Sequence, residues 1–82
     1  MTYAITWEPP AVEVASRFLA DDPDGLRALF AAIDALAGDP RPADSFPFGS
    51  PDLRRLRVGH RALCEISDSD GTVVVTHIGR SA

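Results

Sequence analysis

Lysine is absent from this sequence; all eight basic residues are arginine. The better proton-transfer base is therefore unavailable, whereas arginine forks onto phosphate and stays charged when partly buried. The single cysteine, Cys64, has no internal partner for a disulfide. It shares strand parity with Ala62 and Ile66, which reads as a buried thiol; a nucleophile would need an adjacent base and an exposed, electropositive setting. No stretch approaches the ~18–20 apolar residues of a membrane span. Met1-Thr2-Tyr3-Ala4-Ile5 lacks the basic region and apolar run of a secretory signal, so the expected location is the cytoplasm. Neither standard glycine-rich phosphate loop is present. Two separated histidines and one cysteine give no metal-ligand spacing, and the scattered carboxylates give no pair for glycosidic chemistry. No metal or cofactor is expected.

What remains is an ordinary globular composition, 45% hydrophobic and 24% charged over 82 residues. That length predicts a single domain over 1–82, with a thin stability margin that a binding partner would widen. The net charge of −4 argues against general affinity for nucleic acid, but the charge is unevenly spread. Glu8, Glu13, Asp21, Asp22, Asp24, Asp34, Asp39, Asp44 and Asp52 outnumber Arg17, Arg27 and Arg41 in the first part. Beyond it, Arg54, Arg55, Arg57, Arg61 and Arg80 outnumber Glu65, Asp68 and Asp70.

Tyr3, Ile5 and Trp7 alternate with Ala4 and Thr6, the period of a strand. Pro9-Pro10 ends it, since proline donates nothing to a ladder. From Pro10 to Ala20, Val12, Ala15, Phe18 and Leu19 recur at helical spacing. Asp22-Pro23-Asp24 then starts a second helix by cap, first-turn proline and dipole. Leu26, Leu29, Phe30, Ile33, Leu36 and Ala37 supply its apolar stripe, and Gly38 and Pro40 are the stop signals, with Gly38 suited to a left-handed C-terminal position. Arg41 to Pro51 reads as an ordered crossing loop whose Phe46 and Phe48 plug into the core. Three strands follow, Leu53–Val58, Arg61–Ile66 and Thr72–Ile78, separated by a Gly59-His60 turn and a Ser67–Gly71 turn, with residues 79–82 trailing off. The expected fold is α+β: a small antiparallel sheet, made of the N-terminal strand and a three-stranded meander, packed on two helices.

Parity decides which arginines can act together. Leu56 and Val58 should face the helices, leaving Arg55 and Arg57 on the open side. Ala62, Cys64 and Ile66 should pack inward, leaving Arg61, Leu63 and Glu65 outward. Which of the sets Val73/Val75/His77 and Val74/Thr76/Ile78 faces out is open. Arg55, Arg57 and Arg61 thus converge near one hairpin end. Opposed like charges cost about 0.2–1 kcal/mol per pair, which an anionic ligand would relieve. The competing reading is a solvated face balanced by Glu65 and Asp52. His60 and His77 can serve as acid or base, or be a turn residue and a half-buried strand residue respectively.

Leu-Arg-Val-Gly-His-Arg-Ala-Leu-Cys-Glu-Ile at 56–66, Val-Val-Val-Thr-His-Ile-Gly-Arg at 73–80 and Asp-Ala-Leu-Ala-Gly-Asp-Pro-Arg-Pro at 34–42, together with the element order, resemble the RelE/ParE superfamily of bacterial type II toxins, particularly the RelE branch. The resemblance implies ribosome-dependent mRNA cleavage on the open sheet face, inhibition of translation, and neutralisation by a cognate RelB-like antitoxin in a hetero-oligomer. It implies that Arg61 stabilises phosphate charge as a 2′-hydroxyl attacks, with Arg55, Arg57 and Arg80 matching further family basic positions. His60 stands where the family wording has tyrosine, and so does Cys64. The resemblance stops at Ala82, short of the family's C-terminal acid/base segment, which leaves His60 and His77 as the expected proton-transfer groups. A ParE-like inhibitor of DNA gyrase and a non-catalytic, antitoxin-binding relative are the alternative expectations.

Overall fold

Strand β1, Ala4–Trp7, gives way to helix α1, Pro9–Asp21, at the proline pair. The computed structural model describes residues 2–80. No side chain caps α1; Glu8 precedes it in extended conformation and the prolines occupy the first turn, where missing N–H groups cost nothing. Ala11 and Ala15 are its buried residues, small enough to let the helix lie close to the sheet, with Val14 and Phe18 packed beside them.

A single residue, Asp22, joins α1 to helix α2, Pro23–Ala35. Its carboxylate accepts from the Gly25 N–H at 3.1 Å, the cap that the Asp-Pro-Asp signal predicts. Leu26, Leu29 and Ile33 of α2 are completely buried, and Leu36 nearly so. The helix ends one turn before Gly38, whose N–H donates to Ala35 O at 3.2 Å. Gly38 does not adopt the expected left-handed conformation; Gly49, Gly59 and Gly71 are the positive-φ residues among those described.

The crossing segment contains a short strand, β2, Phe46–Pro47, followed by β3, Leu53–Val58, β4, His60–Ser67, and β5, Thr72–Arg80. Sheet order is β1-β5-β4-β3-β2. The α+β expectation holds, with two differences in detail: β1 runs parallel to β5, so the sheet is mixed, and β2 adds a fifth strand. Residues 79 and 80 do not trail off but complete β5; residues 81–82 lie outside those described.

Gly59 alone makes the β3–β4 turn at φ +73°, a conformation glycine adopts without a Cβ clash, while Gly71 at φ +66° serves the β4–β5 turn. His60 is therefore the first residue of β4, not a turn residue. Leu56, Ala62, Cys64, Ile66, Val73, Val75 and Ile78 meet the helices on one sheet face. An irregularity opposite Leu63/Cys64 resolves the ambiguous last strand: Leu63 pairs with His77 but Cys64 with Val75. The extra residue, Thr76, resets parity, so Val75 and Ile78 both point inward and His77 points out.

The expected phenylalanine plugs are absent. Phe46 and Phe48 are 51% and 49% exposed. Polar contacts hold the crossing segment instead. Arg41 grips Asp68 with both terminal nitrogens (3.2 and 3.1 Å) and Asp52 with one (2.7 Å). Arg54 donates to the buried Ser45 hydroxyl (3.0 and 2.8 Å) and carbonyl (3.0 Å). These contacts position the segment along β3 and leave both rings on the open side.

Candidate nucleic-acid interface

The open face is laid out in two rows by the strand register. One runs Phe46, Arg55, Leu63, His77; the next runs Arg57, Arg61, Gly79. Arg57 and Arg61 are direct cross-strand partners, the like-charge juxtaposition that parity predicts. Phe48, Arg55, Arg61, Ala62, Leu63 and His77 enclose a cleft of about 220 Å³.

Gly79 gives this cleft its shape. A Cβ built there would lie 3.4 Å from Arg61 Nη2, 3.7 Å from Arg61 Nε and 3.6 Å from His77 Nε2. The Arg61 guanidinium thus lies across the glycine, beside the His77 imidazole. Arg55 leans over Phe48, its guanidinium carbon 5.6 Å from the ring centroid, and its Nε is buried without a partner among the described residues.

Among the described residues, no carboxylate lies within ion-pair distance of Arg55, Arg57 or Arg61. Asp52, one proposed counterweight, is engaged by Arg41, and Glu65 pairs across strands with Leu53 and Val74. The solvated, self-balanced face is therefore not what these side chains form. Three guanidiniums gather on one side with their charge uncompensated, an arrangement suited to a polyanion.

His60 and Arg80 are elsewhere. They pair with one another across β4 and β5 on the helix-facing side. His60 is only 7% exposed; its Nε2 donates to Asp22 Oδ2 at 2.9 Å and its ring stacks on Phe18 at 5.6 Å. Arg80 lies over the same Phe18 ring at 4.9 Å and donates to Asp21 at 2.7 Å. The hydrogen bond from His60, followed by that from the Gly25 N–H, holds the Asp22 carboxyl below its ordinary value. This group fastens the β3–β4 hairpin and the end of β5 to the α1–α2 junction. Of the sequence candidates, the fold brings Arg55, Arg57, Arg61 and His77 together and leaves His60 and Arg80 on the opposite face.

Cys64 is fully buried and its thiol is pushed up to about 12 by burial, so it is an inert core residue. Among the described residues, no three His, Cys, Asp or Glu side chains gather to share an ion, and no helix is long and apolar enough to cross a membrane. Parity reasoning missed Phe48 in the cleft and Asp21, Asp22 and Phe18 around His60 and Arg80. The alternation Phe46-Pro47-Phe48 beside an arginine-rich strand was the available signal for an edge strand with outward rings.

No family model and no curated protein matches this sequence. Solved structures do match in shape. The isolated RelE toxin of E. coli superposes with a TM-score of 0.81 at 17% identity, covering 98% of this chain and 85% of that one. The archaeal RelE–RelB complex from Pyrococcus horikoshii gives 0.76 at 17% identity, with 98% and 96% covered. The chromosomal ParDE system of P. aeruginosa gives 0.72 at 11% identity, with 99% and 98% covered. The fold is that of the RelE/ParE toxins. The RelE and ParDE structures each align over nearly the whole of this chain.

Proposed function

We propose that this chain is the toxin of a type II toxin–antitoxin pair, a RelE-like endonuclease that cuts mRNA on the ribosome and so inhibits translation in the cytoplasm. The observation that carries the reading is the cleft in which Arg55, Arg61 and His77 converge on an uncovered sheet face, with no carboxylate of the described residues paired to either arginine. Arg55 and Arg57 hold the RNA backbone. Arg61 stabilises the charge that grows on the phosphoryl oxygens as the adjacent 2′-hydroxyl attacks the phosphorus. His77, beside Arg61, takes the proton of that hydroxyl or returns one to the departing 5′-oxygen. His60 and Arg80 have no part in the chemistry; their work is to hold the hairpin that presents Arg61.

The partner is a cognate antitoxin, as RelB is for the Pyrococcus horikoshii RelE it was solved with. Besides covering the toxin, such a partner stabilises a small domain by mass action. Expression of the chain alone in a bacterium should arrest growth, with mRNA 5′ ends mapping in phase with codons. Arg61→Ala should abolish both effects. A DNA-damage response with intact mRNA would overturn the nuclease in favour of gyrase inhibition, and absence of any phenotype would favour the non-catalytic alternative.

A further inference from the structure

Six aromatic residues are present, and four of them, Tyr3, Trp7, Phe18 and Phe30, pack against the core. Phe46 and Phe48 do not, and half of each is open to solvent. Neither ring is loosely tethered. Phe46 pairs with Arg55 across β2 and β3, and the Phe48 N–H donates to Leu53 O at 2.8 Å. Pro47 between them restricts the backbone further. The phenylalanines are thus held on the same face as the arginines, and Phe48 forms one wall of the cleft that contains Arg61 and His77.

The Nε of Arg55, unpartnered among the described residues, is a second, independent observation. A buried guanidinium N–H without an acceptor is costly, and a small rotation of the Arg55 side chain toward an acceptor in the cleft it lines would satisfy it. An aromatic face, a guanidinium plane against it and further cationic groups alongside are the parts from which proteins build single-stranded nucleic-acid subsites. An apolar peptide would engage the rings but would leave the guanidinium charges of Arg55, Arg57 and Arg61, unpaired among the described residues, uncompensated.

We infer that Phe48, flanked by Phe46, is a stacking platform for one unpaired base of an RNA strand whose phosphate is held by Arg55 and Arg61. This deepens the proposed function and rests on it. The platform makes the site selective for single strands, because a base within a duplex has no free face to offer. It also separates two contributions to affinity: the arginines supply a salt-dependent, base-independent part, and Phe48 a salt-independent part that requires a base.

Equilibrium binding of the full chain to a labelled RNA hexamer, and to a hexamer of the same length with abasic sites throughout, tests the inference. Phe48→Leu keeps the apolar bulk but removes the ring face. It should weaken hexamer binding by about 5- to 100-fold while leaving the salt slope unchanged. Phe48→Tyr should bind as the parent does. Arg55→Ala should instead reduce the slope of log K against log salt by about 0.7. The abasic strand should bind weakly and be indifferent to Phe48→Leu. Equal affinity of parent and Phe48→Leu for the RNA hexamer, or of the parent for both strands, would overturn the platform while leaving the arginine grip intact. No binding of either strand by the parent chain would overturn the platform, whereas the nuclease reading stands or falls separately on codon-phased cleavage of mRNA on the ribosome.

Discussion

Gly79 offers a test in which stability and activity should part company. It stands opposite Arg61 in the β4–β5 ladder, with φ outside the left-handed region. An added methyl would meet Arg61 and His77 at 3.4–3.7 Å, ordinary contact distances, so alanine fits without displacing either. Restricting the unfolded chain at a compatible position stabilises by about 0.4–1 kcal/mol. For a domain of this size that corresponds to a rise of roughly 2–8 °C in melting temperature. Leucine is different, because its branched end must occupy the volume in which the Arg61 guanidinium lies. Arg61 then leaves the cleft, and loss of one preorganised donor to a developing oxyanion costs about 10²–10³ in rate. Thermal unfolding followed by circular dichroism, combined with cleavage of mRNA on programmed ribosomes, reads both quantities. Gly79→Ala should melt higher and cleave normally, and Gly79→Leu should remain folded but cleave as poorly as Arg61→Ala. A lower melting point for the alanine variant, or undiminished cleavage by the leucine variant, would refute the placement of Arg61 across Gly79.

Gly25→Ala should do the reverse of what helix propensity predicts. Alanine is ordinarily favoured by about 1 kcal/mol within a helix, yet a Cβ there collides with the Asp22 carboxylate. The cap and the His60 bond are lost together, and the urea midpoint should fall. Acid should weaken the fold through Asp22 and Asp68, held below the ordinary 3.8 by hydrogen bonds, first from His60 and from Arg41 respectively. Both bind protons less readily when folded, so their contribution is complete above 3.8 and is lost as pH falls through the lowered values. Urea midpoints at pH 6 and pH 3 should therefore differ less in an Asp22→Asn, Asp68→Asn variant than in the parent. Cys64, with its thiol pushed up to about 12, should react with thiol reagents only at the rate of unfolding, and Cys64→Ala should leave cleavage intact.

The elements that local chemistry dictates were legible in advance. Asp22-Pro23-Asp24 specified where α2 begins because cap, proline and dipole agree within three residues. The alternation in Leu53–Val58 put Arg55 and Arg57 on one face because a sheet with one covered side tolerates no other register. What escaped depends on distant partners. Hydrophobicity alone sends Phe46 and Phe48 to the core, but Arg41 and Arg54 anchor that segment through Asp68, Asp52 and Ser45 and leave the rings outside. His60 and Arg80 belonged by residue type with the arginine cluster. Their inward direction follows from a one-residue turn at Gly59 and a displaced residue at Thr76, neither of which alternation reveals.

The parallel pairing of β1 with β5 has a consequence for biogenesis. β5 lies between β1 and β4, so the strand translated last of the five bonds to both halves of the sheet. Until it emerges from the ribosome, the first strand has no neighbour and the helices lack much of the surface they cover. Long-range closure of this kind slows folding relative to locally connected topologies. A nascent chain therefore passes through synthesis with its sheet unfinished, and the growth-arresting activity proposed above would stay silent until the final strand is released.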